Sequence, residues 1–139
     1  MSFTIAPGTL TQDELVGLYR SVEWTAYTKD EQQLAAAIAA SHEVLTARTD
    51  AGELIGLART ISDGHTVAYI QDILVSPAYQ RHGVGGALLD ELLVRTRNIR
   101  QVVLLTDAEA GQRAFYESRR FVEAHDFSPA ELRCFVLVR

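Results

Sequence analysis

Cysteine, basic residues and long apolar runs are scarce in this sequence, and each scarcity excludes a class of protein. Its single cysteine, Cys134, allows neither an internal disulfide nor a metal site built from several cysteines. No stretch approaches the roughly 18 consecutive apolar residues of a membrane span, and residues 1–4 lack the basic start and apolar run of a signal peptide. We therefore expect a cytoplasmic protein with no membrane partner.

Acidic residues outnumber basic ones. Thirteen Lys and Arg stand against eighteen Asp and Glu, which gives a net charge of −5. Because proteins normally approach nucleic acids with a basic surface, we expect no nucleic-acid partner. The histidines are dispersed without the spacing of metal ligands, so we also expect no metal; they are His42, His65, His82 and His125.

The chain has the composition of one compact domain, residues 1–139, since 47% of its residues are hydrophobic and no repeat or linker interrupts it. Two capping-box sequences, Thr11–Glu14 and Thr28–Glu31, each precede apolar residues at helical spacing. They predict a helix over 12–21 and a second helix that ends near Ser41. Residues 23–27, between the helices, form a predicted loop rich in aromatic side chains.

Strand-like runs separated by turn residues follow. They predict an antiparallel meander of strands over 44–48, 54–61 and 67–75. After it the pattern predicts a helix over 83–97, a strand over 102–106 buried on both faces, a helix over 110–118, and a last strand over 132–138 with Cys134 buried in it. The strand, helix, strand order places two strands parallel, so we expect an α/β layer fold with a mixed, mostly antiparallel sheet.

The segment after the third predicted strand has the form of an anion site. The strand ends before Pro77, and Gly83, Gly85 and Gly86 open the next helix. Amides in the first turn of a helix have no intrahelical partner, and glycines let phosphate oxygens approach the backbone. Arg81 adds a positive charge, so we expect a diphosphate to bind here.

The spacing of these glycines excludes two nucleotide-binding motifs. The dinucleotide pattern Gly-x-Gly-x-x-Gly fails because Leu88 stands at its third glycine position. The nucleoside triphosphate loop fails because neither Gly-Lys-Ser nor Gly-Lys-Thr opens the helix. A different diphosphate ligand is therefore expected.

Two segments resemble motifs of one family. Gln80-Arg81-x-Gly83-x-Gly85, after a strand and a proline, resembles the acyl-coenzyme A loop of the GNAT superfamily, the Gcn5-related N-acetyltransferases. Further along, residues 115–121 resemble the family signature Phe-Tyr-x-x-x-Gly-Phe. Two positions depart from the family. Glu109 stands where Asn is frequent, and Arg120 replaces the glycine before the last Phe, which suggests a reshaped turn.

The resemblance implies a GNAT fold, in which a parallel strand pair splays apart and acetyl-coenzyme A binds as cosubstrate. The pantetheine arm would lie along the backbone of Ile73, Leu74 and Val75. Gln112 would replace the contact that the Asn makes in the family, and Tyr116 would be the general acid that protonates the departing thiolate. The pyrophosphate would be held by the residues of the loop, which are Arg81, His82, Gly83, Val84, Gly85 and Gly86.

The resemblance also implies an acceptor site between the first two helices and the sheet. Aromatic rings and a carboxylate there suit a small-molecule or peptide amine, and the candidate contacts are Trp24, Tyr27, Tyr69, Gln71 and Asp72. Strict alternation places Tyr69 and Gln71 on one face of the strand and Asp72 on the other, unless a β-bulge rotates it. Two alternatives remain for the group that takes the amine proton. Asp72 could act directly as the general base, or a water relay could carry the proton to Asp72 or Glu23.

The implied function is N-acetylation of a primary amine by direct attack in a ternary complex. Alternatives stay open at this point. The glycines could only allow helix packing, and Tyr116, Trp24 and Tyr27 could be core aromatics. The chain could be a non-catalytic acyl-coenzyme A sensor or a partner-binding module, or the loop could bind a free nucleotide. A homodimer is compatible with all of these functions.

Overall fold

A computed structural model describes all 139 residues, and they divide into two compact units, Met1–Leu105 and Thr106–Arg139. The extent of a single domain over the whole chain stays a prediction. The first unit contains five strands: β1 (Phe3–Pro7), β2 (Glu43–Thr49), β3 (Leu54–Ser62), β4 (Val67–Val75) and β5 (Gln101–Leu104). They form one sheet in sequence order, antiparallel from β1 to β4 and parallel between β4 and β5. The predicted mixed sheet is confirmed.

The helices lie close to their predicted positions. The first unit contains α1 (Gln12–Ser21), α2 (Thr25–Thr28), α3 (Glu31–Ala39) and α4 (Val84–Arg95), with a 3-10 turn at Pro77–Tyr79. The second unit contains α5 (Ala110–Glu117) and a 3-10 turn at Ala124–Asp126. None of these helices combines the length and the apolarity that crossing a membrane requires.

The predicted capping box begins α1. The Thr11 hydroxyl accepts a hydrogen bond from the Glu14 amide at 3.1 Å, and the Glu14 carboxylate accepts one from the Thr11 amide at 3.0 Å. The apolar residues of α1 then recur at helical spacing and face the sheet. They pack into a buried cluster made of Leu15, Val16, Leu18, Tyr19, Leu34, Leu57 and Leu74.

The other face of the sheet packs against α4, and a glycine permits the close approach. Gly56 and Leu57 are neighbours in β3, so they point to opposite faces. A Cβ atom at Gly56 would lie 3.2 Å from side-chain atoms of Val84 and Leu88 and 3.2 Å from the backbone oxygen of Leu74. Val84 and Leu88 are buried. The first turn of α4 therefore contacts the sheet directly.

Three elements of the first unit differ from the sequence prediction. β1 was not predicted, and part of the predicted aromatic loop forms the short helix α2. The strand predicted over 102–106 with both faces buried spans Gln101–Leu104, and its residues alternate between exposed and half-buried. This strand pairs with β4 alone, at the edge of the sheet, so one of its faces stays open.

The last strand predicted over 132–138 is wrong. These residues form no strand, and Phe135, Leu137 and Val138 are 87%, 78% and 84% exposed. A run of apolar residues becomes a strand only where another strand supplies hydrogen bonds, and no strand does so here. Cys134, which was predicted to be buried in that strand, is exposed for the same reason.

The close packing at Gly56 can be tested against a matched glycine. Gly56→Ala places a Cβ between two side chains and a backbone oxygen, so the free energy of unfolding should fall by about 1–3 kcal/mol. Gly17→Ala in α1 meets nothing within 4 Å and should raise it by roughly 0.5–1 kcal/mol through helix propensity. Urea denaturation measures both changes. Equal shifts in the two variants would contradict the close approach of α4 to β3.

Candidate functional site

β4 extends beyond the end of β5, and this leaves an open strand edge. β5 pairs with β4 only over Val67–Ile70, while residues 72–75 of β4 pair with β3 alone and Gln71 has no register partner on either strand. Alternate residues of a strand direct their backbone groups to its two edges. Part of the backbone of residues 71–75 is therefore unpaired on the side where β5 has ended. The predicted pantetheine contacts lie along this edge, and they are Ile73, Leu74 and Val75.

The glycine loop leads from β4 into α4. Gly83 is the N-cap of α4, has a φ of 83°, and provides no side-chain hydrogen bond to the first turn. Arg81 also has a left-handed backbone, with a φ of 65°, and both Arg81 and His82 are exposed. The loop can therefore bind an anion through one positive side chain and through the free amides at the start of a helix. Those amides belong to Val84, Gly85 and Gly86.

Side chains fasten this loop to the sheet. The Gln80 amide nitrogen donates to the backbone oxygen of Val75 at 3.1 Å, which closes the loop onto the end of β4. The Tyr79 hydroxyl donates to the Glu53 carboxylate at 2.7 Å. The glutamine of the motif thus has a structural function here, because it shapes the loop that carries the amides.

Asp72 of β4 and Arg59 of β3 form a buried ion pair. Arg59 Nε donates to Asp72 Oδ2 at 2.6 Å, and the two side chains are 5% and 2% exposed. The Tyr19 hydroxyl donates to the same Oδ2 at 2.8 Å, and the Tyr27 hydroxyl donates to Oδ1 at 2.9 Å. Buried charges require such partners. Asp72 therefore connects α1 and α2 to the sheet.

A β-bulge brings Gln71 to the same group of side chains. The pairing of β4 with β3 shifts by one position next to Asp72, and Gln71 is the extra residue. Gln71 Nε2 donates to the Tyr27 hydroxyl oxygen at 2.7 Å. Two consecutive residues of β4 thus contact one phenol at the bulge. The expected alternation is kept in their burial, since Gln71 is exposed and Asp72 is buried.

Aromatic rings surround this group. The Tyr27 ring lies 5.2 Å from the Tyr19 ring and 6.1 Å from the Trp24 ring between centroids, and the Arg59 guanidinium lies 5.9 Å from its centre. Trp24 is 36% exposed and Tyr27 is half-buried, so both rings remain partly open to a ligand. The structure brings together four of the predicted acceptor residues, Trp24, Tyr27, Gln71 and Asp72. The fifth, Tyr69, is half-buried on β4.

The environment fixes the protonation of these groups. Burial raises the pKa of the Tyr19 phenol, and the charge of Asp72 raises it further. Burial also raises the pKa of Tyr27, although the hydrogen bond from Gln71 acts in the opposite direction. Burial lowers the pKa of Arg59, but the hydrogen bond and charge of Asp72 outweigh it, and the net pKa lies above its ordinary value. Both phenols therefore keep their protons at neutral pH.

The second unit carries the predicted general acid. Tyr116 of α5 is half-buried, and its ring centroid lies 5.0 Å from that of Phe115 and 5.8 Å from that of Phe121. Burial raises the pKa of the Tyr116 phenol, and the charge of Asp107 raises it further. The phenol is thus protonated at neutral pH, as a proton donor requires. Gln112 lies half-buried in the first turn of the same helix.

Arg120 adopts the backbone conformation that a glycine would have. Its φ is 70°, its amide donates to the Glu117 oxygen at 3.0 Å, and the Phe121 amide donates to the Tyr116 oxygen at 3.2 Å. Two such bonds with a left-handed residue form a common C-terminal helix cap. The expectation of a reshaped turn is therefore wrong. The other departure, Glu109, is the N-cap of α5 and makes no side-chain capping bond.

Sequence reasoning missed Arg59 and Tyr19. Arg59 interrupts an apolar stretch of β3, and a charge among core residues needs an opposite charge nearby. Asp72 is the one carboxylate of β4, which is adjacent to β3, so the ion pair of Arg59 with Asp72 could have been inferred. Tyr19 gave no such signal, because an aromatic residue at helical spacing is equally expected in a core.

Removing the charge of Asp72 tests the importance of the ion pair. Asp72→Asn leaves the buried Arg59 without a counter-charge, so the free energy of unfolding should fall by about 3–5 kcal/mol. The control is Glu14→Gln, which removes one charge from the Glu14–Arg48 pair of 2.7 Å at 34% and 25% exposure and keeps a capping side chain. It should cost less than about 1 kcal/mol. Similar urea midpoints for the two variants would contradict the burial of the pair.

Comparison with known proteins identifies the family. The sequence matches the Acetyltransferase (GNAT) family over residues 10–121. It is 41% identical over 71 residues to a histone acetyltransferase of Glycine max, an overlap that covers 49% of this chain and 29% of that protein. It is 38% identical over 71 residues to a chloroplastic GCN5-related N-acetyltransferase of Arabidopsis thaliana, covering 50% of this chain and 27% of that protein. The chain thus spans less than a third of the length of these relatives.

Solved structures share the fold over most of the chain. A GNAT-family acetyltransferase from Streptococcus pneumoniae has a TM-score of 0.77 and 25% identity, and the match covers 97% of both chains. The ribosomal-protein-S18-alanine N-acetyltransferase of Escherichia coli has a TM-score of 0.68 and 24% identity, covering 85% of this chain and 76% of that one. The family match and the mixed sheet agree, and the chain belongs to the GNAT family of acetyltransferases.

Proposed function

We propose that the protein transfers the acetyl group of acetyl-coenzyme A to a primary amine, by direct attack of the amine in a ternary complex. The observation that carries this proposal is the open edge of β4 at the point where β5 ends, followed by the glycine loop. An open edge can hydrogen-bond an extended arm, and free helix amides can hold a diphosphate. Acyl-coenzyme A contains both groups.

The coenzyme contacts follow from these two features. We assign the pantetheine arm to the backbone of Ile73–Val75 and to Gln112. We assign the pyrophosphate to residues 81–86, where Arg81 supplies the positive charge and the start of α4 supplies amides. The Val84 side chain is buried against the sheet, so this residue would contribute its backbone only.

The acceptor amine is assigned to the surface around Trp24, Tyr27, Tyr69 and Gln71. Aromatic faces attract an alkylammonium group. Gln71 offers an exposed side-chain amide next to the point where the pairing of β4 with β5 ends. The Glycine max relative is named a histone acetyltransferase, which supports a protein amine as one acceptor to test. A cytoplasmic location, a homodimer, and the absence of nucleic-acid and membrane partners stay predictions.

In the proposed reaction the amine lone pair forms the C–N bond to the acetyl carbon, and the C–S bond breaks. Tyr116 gives its hydroxyl proton to the leaving thiolate. The amine loses one proton to water, and solvent returns a proton to Tyr116. Asp72 is not placed to contact the amine directly, because its oxygens already accept bonds from Arg59, Tyr19 and Tyr27 and the residue is 3% exposed. A water relay, with or without Glu23, replaces a direct base.

Release of coenzyme A tests the proposed function. The protein is mixed with acetyl-coenzyme A and a panel of small amines, lysine peptides and peptides with free N-termini, and free thiol is measured. We expect thiol release with at least one amine, together with the acetylated product by mass spectrometry. A non-catalytic sensor would bind acetyl-coenzyme A without releasing thiol. Stabilisation by ATP or NAD in place of acetyl-coenzyme A would contradict the assignment of the loop.

Gly83 and Gly52 form a matched pair for testing the loop. Both have left-handed backbones, with φ of 83° and 88°, and an added Cβ meets no atom within 4 Å at either position. Alanine at either site should therefore cost about 1–2 kcal/mol of stability. At about 100 times its dissociation constant, acetyl-coenzyme A should add about 2.7 kcal/mol to the wild type and to Gly52→Ala. Thermal melts should show a much smaller gain for Gly83→Ala, whose methyl group would crowd the phosphates.

The role of Tyr116 is tested by removing its hydroxyl. Tyr116→Phe keeps the ring contacts with Phe115 and Phe121, so the melting temperature should change little. Without the proton donor, kcat should fall by about 10²- to 10⁴-fold while the affinity for acetyl-coenzyme A is kept. A slow acyl donor should be assayed beside acetyl-coenzyme A, since the loss is muted where thiolate departure is not rate-limiting. An unchanged kcat with both donors would make Tyr116 a core residue.

A further inference from the structure

The hydrogen bonds around Asp72 have a fixed direction. A carboxylate only accepts hydrogen bonds and a guanidinium only donates them, so the bond of 2.6 Å between them can run one way only. The Tyr27 hydroxyl lies 2.9 Å from Asp72 Oδ1 and must donate to it. Arg59 and Asp72 are 4% and 3% exposed, so solvent offers little competition for these bonds.

This direction determines the orientation of the Gln71 amide. The Tyr27 phenol has one proton, which goes to Asp72, so its oxygen can only accept from Gln71 at 2.7 Å. An amide oxygen in that position would face another acceptor, so the Gln71 nitrogen must point to Tyr27. The amide oxygen, Oε1, is then the acceptor that Gln71 has left for a ligand, and one N–H of Nε2 also remains.

Gln71 lies at the start of the open edge of β4. It is the bulge residue of β4 and the first residue of that strand beyond the pairing with β5. Its side chain is exposed, unlike that of Asp72. The buried charges of Arg59 and Asp72 neutralise each other, so Gln71 meets the ligand as a neutral acceptor.

We propose that Gln71 Oε1 accepts an N–H bond of the attacking amine, and that Tyr27, Asp72 and Arg59 are positioning residues that hold Oε1 in that orientation. This inference rests on the proposed acetyl transfer. A primary amine has two N–H bonds when its lone pair attacks. It can therefore lose one proton while the other N–H stays hydrogen-bonded to Gln71 Oε1. An alcohol has a single proton and loses it in the reaction. The site therefore selects primary amines over alcohols of the same shape.

A double-mutant cycle tests the proposal. The wild type, Tyr27→Phe, Gln71→Leu and the double variant are assayed for coenzyme A release with the best amine of the panel. Loss of one hydrogen bond should raise the amine KM about tenfold in each single variant, with the KM for acetyl-coenzyme A unchanged. Because Tyr27 acts through Gln71, the double variant should be no worse than Gln71→Leu alone. The preference of the wild type for the amine over the matched alcohol should shrink in Gln71→Leu.

A threonine on the surface provides the control. Thr66→Val also removes a hydroxyl-to-carboxylate hydrogen bond, of 2.5 Å to Asp63 in the exposed turn between β3 and β4, so its amine KM should equal that of the wild type. An unchanged amine KM in Gln71→Leu, or additive effects in the double variant, would overturn the inference and leave acetyl transfer standing. If Tyr27→Phe melts below the assay temperature, Gln71→Leu alone decides the outcome. A wild type that releases no thiol with any amine would overturn the proposed function, and this inference with it.

Discussion

The acceptor side of the fold depends on the buried ion pair between Arg59 and Asp72. Placing two charges in a core is costly, and it is tolerated when every oxygen and nitrogen finds a partner. Here the partners are the phenols of Tyr19 and Tyr27 and the hydroxyl of Ser41. Each partner comes from a segment outside the sheet. Satisfying the charges therefore also fixes where those segments lie.

The short helix α2 illustrates this dependence. A helix of four residues has almost no stability of its own, because nucleation is unfavourable and few internal bonds follow. None of its residues is fully buried, but Tyr27 packs half-buried against the core cluster. This packing, the bond from Tyr27 to Asp72 and the contacts between the aromatic rings hold α2 in place. The orientation of the acceptor residues thus originates in the sheet beneath them.

Local signals predicted much of the fold. The capping box defined the start of α1, and the alternation of apolar residues predicted β4 with the observed ends, Val67–Val75. The elements that were missed or wrong depend on partners distant in sequence. β1 exists because it pairs with β2, and residues 132–138 have strand-like composition without a strand to join. Composition alone cannot distinguish these two cases.

The residues of the candidate site also fall into those that local motifs predicted and those that depend on distant partners. Motifs located the loop residues 81–86 and Tyr116, because glycines and an aromatic pair are visible in sequence order. A bulge near Asp72 was considered from the sequence, but its place at Gln71 is a property of the register between β3 and β4. Arg59 could have been found, because a charge in an apolar strand is itself a signal. The left-handed backbone of Arg120 could not have been predicted, because an arginine at this position favours a turn without a positive φ.

The close packing of α4 on Gly56 has a consequence for the thermodynamics of the proposed coenzyme binding. Val84 is 1% exposed, so the first turn of the helix is anchored in the core before any ligand arrives. Its amides need not be ordered by the diphosphate, and little conformational entropy is lost when they bind it. The free energy of the phosphate contacts can then appear almost fully as affinity. Gly56, on the strand beside β4, thereby contributes to preorganisation of the candidate anion site.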